Sequence, residues 1–214
     1  MKIRFSFLPF YIVAMEPISL LMAVATVAYF INARDQKRRI ALLQSYLGQQ
    51  NIEKLMEDLT QGYMRALGET DLERQGQIWQ LLATAEQTLA TQFKQLAQAF
   101  ASVDETQARV SKLPLSIPFV SQLLPATTFD LRKLLSIHAH GIANAADNVV
   151  GQSPKNKAFT MTSELFLMQH TCHWFCRSKT VASARLLARH KTSYAQLLAA
   201  VAPATGKAYG ALTA

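Results

Sequence analysis

The feature that most constrains this chain is an apolar run over residues 5–33, which ends against a basic cluster. Glu16 is the one charged side chain within the run. A helix needs about 20 mostly apolar residues to cross the hydrocarbon core of a bilayer. The sequence therefore predicts a membrane-spanning helix near the amino terminus.

Proline loses no hydrogen bond at the first position of a helix. Pro17 therefore predicts that the spanning helix covers residues 17–33. Tyr29 and Phe30 stand near its end, just before the charged residues, where aromatic side chains favour a membrane interface.

Two other interpretations of the run stay open. Lys2 and Arg4 could open a signal peptide, with Ala23, Val24 and Ala25 as a cleavage site of small residues. The run is about twice the usual apolar core of a signal peptide, about 7 to 15 residues, and it continues past that site, which favours an anchor. The third interpretation is a buried core helix, which the length of the run disfavours.

The basic residues on the two sides of the run predict its orientation. Lys2 and Arg4 precede it, and a larger cluster follows directly: Arg34, Lys37, Arg38 and Arg39. The more basic side of a span tends to stay in the cytoplasm, so we expect the bulk of the chain there. Cys172 and Cys176 do not form the disulfide framework of an extracellular domain.

The rest of the chain has the composition of one helical domain. It contains eight glycines and seven prolines in 214 residues, and Ala, Leu and Gln, which favour helices, dominate. No stretch shows sustained strand alternation, and no repeat of fixed period is present. We predict an all-α protein in three parts: an anchor with its basic flank at 1–39, a bundle of long helices at 40–202 and a flexible tail at 203–214.

Apolar periodicity and capping signals place the helices of this bundle. The spanning helix continues to Gly48, and a second helix covers residues 51–67. The third begins near Thr70, where Glu73 completes a capping box. The fourth covers residues 129–148, and the last extends over residues 159–201.

The third helix carries a heptad-like seam of apolar residues: Leu72, Trp79, Leu82, Leu89, Phe93, Leu96, Phe100 and Val103. Such a seam forms either a coiled coil with another chain or one wall of an intramolecular bundle. Its bulky aromatic residues favour the bundle, because slim coiled coils prefer Leu and β-branched residues.

An apolar connector rich in proline follows at residues 113–125. Pro114, Pro118 and Pro125 prevent a regular helix there. Its apolar composition is unusual for a solvated linker. We expect it to cover the core, with contact to the membrane or to a partner as the alternative.

Charge is unevenly spread along a chain whose net charge is +8. Residues 40–110 hold nine acidic and five basic residues, whereas residues 150–214 hold eight Lys or Arg against Glu164 alone. The acidic helices could neutralise the basic segment within the bundle. Alternatively, the basic segment could face an external anion, either lipid headgroups or nucleic acid.

The candidate contacts for such an anion lie in the last helix: Arg177, Lys179, Arg185, Arg189 and Lys191. Helical geometry scatters them over a wide arc, and no known recognition motif frames them. Lipid is therefore the favoured partner and nucleic acid the disfavoured one. The residues after the span (Arg34, Lys37, Arg38 and Arg39) are the other candidates for lipid contact.

The last helix also holds a cluster of cysteine and histidine: His170, Cys172, His173 and Cys176. Thiolate and imidazole bind zinc and softer transition metals, and His138 or His140 of the fourth helix could complete such a site. The spacing matches no zinc finger, zinc ribbon or haem-attachment motif. We therefore favour packing roles for these residues, with a metal, haem or redox-thiol site as the alternative.

No nucleophile–base pair, phosphate-binding glycine loop or paired-carboxylate motif is visible, so enzymatic activity is not expected. We predict a single-pass membrane protein that acts as an accessory, scaffold or assembly component and contacts lipid and other membrane subunits or further copies of itself. Two alternatives stay open: a membrane-tethered metal-binding or redox protein that uses the cysteine–histidine cluster, and a nucleic-acid-binding module that uses the basic last helix. No cofactor is predicted outside the first alternative.

Overall fold

One long helix opens the structure. The computed structural model describes residues 8–48, 51–114 and 124–214, with their side chains from residue 18 onward. Helix α1 spans Leu8–Leu47, so it passes through Pro17, and the prediction that Pro17 opens the helix is wrong. An interior proline removes one N–H donor, and apolar helices accommodate that loss by local adjustment. The predicted end of the helix at Gly48 is confirmed.

Helices α2 (Ile52–Gly68) and α3 (Leu72–Phe100) form an antiparallel hairpin. Asp71 caps α3, because its carboxylate accepts hydrogen bonds from two backbone N–H groups of the first turn. A carboxylate there also complements the helix dipole. The cap predicted at Thr70 is therefore one residue early.

The apolar seam of α3 packs inside the molecule, as the bundle interpretation predicts. From Leu82 to Phe100 its members are buried, and Phe93 and Phe100 are fully covered. The first seam residue, Leu72, is instead 82% exposed. The seam thus supports the core over the last five turns of α3 and not at its start.

A short helix and a two-stranded ribbon follow α3. Helix α4 spans Glu105–Ala108, and strand β1 (Arg109–Ser111) pairs antiparallel with β2 (Thr128–Asp130). The sequence analysis found no strand here, because three residues are too few to show an alternating pattern. The ribbon joins the core through Trp174, whose ring N–H donates to the carbonyl of Ser111 at 2.8 Å.

In the sequence, the proline-rich connector lies between the two strands of the ribbon. A 3₁₀ turn at Pro125–Thr127 leads into β2, and residues 115–123 lie outside the described residues. The expectation that the connector covers the core therefore stays a prediction.

Helices α5 (Leu131–Ala146) and α6 (Pro154–Cys176) form the centre of the bundle. Helix α5 begins two residues after the predicted start, because Phe129 belongs to β2, and Asp130 caps it. Helix α6 begins five residues before its predicted start. Ser153 caps it and Pro154 occupies its first turn, where proline is favoured.

The last predicted helix is wrong as a single element. The structure divides it into α6, α7 (Lys179–His190) and α8 (Tyr194–Ala200). Ser178 caps α7, and Ser193 forms a capping box with Gln196 at the start of α8. Each serine side chain gives the backbone a hydrogen-bonding alternative to a continued helix.

The predicted flexible tail is a helix as well. Helix α9 spans Pro203–Thr213, and Tyr209 within it is fully buried. Burial of one aromatic side chain contributes roughly 2 kcal/mol, which is enough to hold a short terminal helix in place. The prediction failed because the small residues of this segment show no strong apolar period.

The helices pack into one bundle. Helix α3 packs against α2 and α5, and α5 packs against α6. The second half of α1 joins them through an aromatic contact, in which Phe100 of α3 lies 5.2 Å from the ring of Tyr46 and 6.2 Å from the ring of Phe175. The predicted all-α bundle with a long amino-terminal helix is confirmed.

Among the described residues, one ion pair in the core joins the acidic part of the chain (residues 40–110) to the basic part (residues 150–214). Glu86 of α3 is buried, and its carboxylate lies 2.5 Å from the ammonium of Lys157 in α6. The hydroxyl of Tyr63 donates to the same carboxylate at 2.5 Å. A buried ion pair costs desolvation and needs such hydrogen bonds to offset it. The acidic helices therefore neutralise the basic segment, as one interpretation expects, at Lys157.

Candidate functional site

The first half of α1 projects out of the bundle. Its large apolar side chains are 57–73% exposed, although such residues are usually covered: Ile18, Leu20, Leu21, Met22, Val24, Val27, Tyr29 and Phe30. Within the described residues, Ile18–Leu47 is one helix long and apolar enough to cross a membrane. The alternative of a buried core helix is wrong, because none of this apolar segment is buried.

The basic flank lies where α1 enters the bundle. Arg34, Lys37 and Arg38 are exposed to solvent. Arg39 behaves differently, because it pairs with Asp35 at 2.8 Å and donates to the carbonyl of Arg109 at 3.0 Å. Arg39 therefore holds α1 against β1, and only the other three residues of the flank are placed as a lipid contact requires.

The basic residues of the predicted last helix do not share one helix. Arg177 ends α6 and donates to Gln36 of α1. Lys179 opens α7, and its ammonium lies 4.9 Å from the centre of the Trp174 ring, within the range of a cation–π contact. Arg185 and Arg189 lie on α7 beyond the break.

Each member of the cysteine–histidine cluster has a different environment. The thiol of Cys172 is buried against the sulfur of Met168 at 3.4 Å. His170 is buried, with Nε2 3.1 Å from Ser183 Oγ and its ring stacked on Tyr194 at 4.6 Å. Cys176 is half-buried.

The structure does not assemble the predicted metal site. Among residues 18–48, 51–114 and 124–214, no three His, Cys, Asp or Glu side chains lie together in a way that could hold a metal ion. His138, a predicted fourth ligand, lies 2.9 Å from Thr171 Oγ1 through its Nε2. The other, His140, lies on the surface with Nδ1 2.7 Å from the carbonyl of Ser136.

Burial also keeps these groups in their uncharged forms. It raises the pKa of the Cys176 thiol to about 11 and that of Cys172 further. It lowers the pKa of His170 to about 4 and that of His138 to about 3. Cysteine reacts as the thiolate, and burial disfavours that form in both thiols.

Two cavities flank this part of α6. A cavity of about 430 Å³ lies between α6 and α7; we call it the basic cavity because Arg185 and Arg189 line it, beside Gln169, His173 and apolar residues of α7. A second cavity of about 270 Å³ lies between α1, α2 and α6, with mostly apolar walls that include Leu43, Ile52 and Met168. Gln169, His173 and Arg185 line both.

The basic cavity depends on a fold that the sequence analysis missed. Helix α7 folds back along α6, so that His190 Nε2 lies 3.0 Å from Gln169 Oε1 and the His190 ring stacks on Phe166 at 3.7 Å. Arg185 was expected from its charge, but Gln169 was not. The cap at Ser178 is the sequence signal at the point of reversal.

Comparisons of the chain with family models, with curated proteins and with solved structures find no match in any of the three.

Proposed function

We propose that this chain is a single-pass membrane protein with a cytoplasmic helical bundle, and that it acts as an accessory, scaffold or assembly component of a membrane-associated complex. The observation that carries the proposal is the exposed apolar half of α1. An exposed apolar surface of this length is typical of a site that contacts a membrane or another protein. A bilayer removes it from water around the whole circumference of the helix.

The division of α1 supports the same proposal. Its residues before the basic flank are exposed, whereas Leu43 beyond the flank is buried in the bundle. The exposed basic residues Arg34, Lys37 and Arg38 lie between these two halves. Basic residues at this position favour a cytoplasmic bundle by the positive-inside rule.

A second apolar surface, on the bundle itself, supports binding as its activity. Apolar side chains are exposed at the turn between α2 and α3, where Met64 is 69%, Leu67 is 47% and Leu72 is 82% exposed. This turn lies about 40 Å along α3 from Phe100, given a rise of about 1.5 Å per residue. It provides a surface for a partner at a distance from the membrane.

Replacement of Ala25 by arginine tests the membrane anchor. A charge at the centre of a span costs roughly 2.5–3.5 kcal/mol for insertion, so Ala25→Arg should move the protein from the membrane fraction to the soluble or degraded fraction. Ala25→Leu is the matched control and should stay in the membrane. The measurement is fractionation with carbonate and with detergent. Release of the wild-type protein by carbonate alone would refute the anchor.

A further inference from the structure

The apolar cavity between α1, α2 and α6 is adaptable and lies beside the proposed membrane surface. Ile40, Leu43 and Leu47 of α1 form one wall, and Met56 and Met168 form much of the other. Methionine is flexible and polarisable and fits irregular apolar ligands. At its near end the cavity reaches Arg177, which contacts Gln36 in the basic flank of α1. Such a cavity suits an acyl chain that enters from the adjacent leaflet.

The basic cavity between α6 and α7 carries positive charge without a counter-ion. Within the described part of the chain, neither Arg185 nor Arg189 has an ion pair or a hydrogen bond, and no carboxylate lines this cavity. Glu53, at the rim of the apolar cavity, is the nearest acidic residue that lines either one. A bound anion would supply the missing charge.

A buried orphan group lies at the same place. His170, which lines the basic cavity, is 1% exposed, and its Nδ1 has no hydrogen-bond partner among the described side chains and backbone. An unsatisfied buried polar group costs roughly 1–3 kcal/mol, a cost that a bound ligand can remove. His173 faces the same cavity beside Arg185, so polar groups of two helices converge there.

We propose that the two cavities form one site for an anionic phospholipid, with the phosphate headgroup at Arg185, Arg189 and His173 and an acyl chain between α1, α2 and α6. The shared walls at Gln169, His173 and Arg185 join the two parts. An amphiphile fits this arrangement because its charged and apolar ends need adjacent basic and apolar cavities. The site rests on the proposed function, since the membrane supplies the lipid.

The test is lipid binding by the full-length protein, purified in a mild non-ionic detergent. Dioctanoyl phosphatidylglycerol should bind with one molecule per chain in native mass spectrometry and should raise the melting temperature. The double variant Arg185→Gln, Arg189→Gln should weaken this binding roughly tenfold or more. The matched control, Arg65→Gln with Arg74→Gln, removes two exposed arginines far from the cavities and should bind as the wild type does.

A second variant tests the acyl chain separately. Gln44 is exposed on α1 and lines the apolar cavity, so Gln44→Trp should fill the cavity, keep the fold and weaken lipid binding. Far-ultraviolet circular dichroism and the melting temperature without lipid check the fold of each variant.

Three results would overturn the site. The first is equal binding of dioctanoyl phosphatidylcholine, and the second is equal binding of glycerol 3-phosphate, which carries the headgroup charge without a chain. The third is salt-sensitive binding of a single-stranded oligonucleotide that the arginine double variant abolishes, because it would assign the basic cavity to nucleic acid. Because binding is measured in detergent, its failure is distinguishable from a failure of membrane anchoring, which fractionation reports.

Discussion

Gly141 lies where the central helix α5 packs closely against α6 and the end of the chain. A Cβ atom at this position would lie 2.5 Å from Glu164 Oε2 and 2.5 Å from Thr205 Oγ1. Glu164 is fully buried, and its Oε1 accepts a hydrogen bond from the backbone N–H of Ala202 at 3.0 Å. Only a residue without a side chain lets α5, α6 and α9 meet around this carboxyl group.

Replacement of Gly141 by alanine should therefore destabilise the protein. Overpacking costs roughly 1–3 kcal/mol, against a gain of up to about 1 kcal/mol in helix propensity. We expect a net loss of about 1 kcal/mol or more in the free energy of unfolding, measured by urea denaturation. Gly210→Ala is the control, because a Cβ there meets nothing within 4 Å, and it should stabilise the protein slightly. Equal effects of the two substitutions would contradict the close packing.

Glu164 also makes the stability of the fold depend on pH. Burial raises the pKa of this carboxyl group to about 7 in the folded protein, above its ordinary value in the unfolded chain. The folded state thus holds a proton that the unfolded state loses, so this contribution is complete at low pH and is lost as the pH rises toward 7. His138 and His170 act in the opposite direction, because burial lowers their pKa values.

The variant Glu164→Gln isolates this effect. Glutamine keeps an acceptor for the Ala202 N–H but carries no charge. The free energy of unfolding of the variant, relative to the wild type, should therefore increase from pH 4.5 to pH 7.5, by about 3 kcal/mol at most. Melting curves across this range measure the difference, in which the histidine contributions cancel. Glu57→Gln, on an exposed position of α2, serves as the control and should show no such trend. A constant difference for Glu164→Gln would mean that the carboxyl group stays ionised in the fold.

At the scale of helices, the sequence predicted those elements whose ends carry strong signals. Gly48 located the end of α1 but not its start, and the apolar period of α2 located both ends of that helix within one residue. The reversal between α6 and α7 was not predicted, and neither was the break after α7, although Ser193 and Gln196 form a capping box there that the sequence displays. The apolar residues of α6, α7 and α8 follow one continuous helical spacing in the sequence, and this pattern predicts a single helix. Lys191 ends α7 in a left-handed conformation, with φ of 54°. Glycine, asparagine and aspartate are the residues that usually adopt this conformation, so a lysine does not predict the end of a helix.

The same reversal explains how much of the candidate site was predictable. Charge alone predicted Arg185 and Arg189 as candidates for anion contact. Their position opposite Gln169 and His173 depends on the angle between α6 and α7, which is a tertiary property. The alternative of a metal site at Cys172 depended on tertiary structure in the same way: among the described residues no three potential ligands lie together, and the Cys172 thiol packs against the sulfur of Met168.

At the scale of the whole molecule, the exposed turn between α2 and α3 should mediate assembly. The double variant Leu67→Ser, Leu72→Ser should reduce the mass of the complex extracted in mild detergent, measured by size-exclusion chromatography with light scattering, without lowering the melting temperature. Leu187→Ser is the control, because Leu187 is also 54% exposed but lies on α7. A wild-type protein that runs as a 23.8 kDa monomer in every mild detergent would contradict the proposal.

The uninterrupted course of α1 determines how the bundle stands relative to a membrane. No loop separates the apolar half from the half that packs beside Phe100 and Phe175. The two halves form one continuous helix, so the bundle has a fixed orientation relative to the apolar half. Each residue inserted within 34–38 would rotate the bundle by about 100° around the axis of α1 and move it by about 1.5 Å away from the apolar half. If α1 spans a bilayer as proposed, the bundle presents a fixed side, at a fixed height, to any neighbour in the plane of that bilayer.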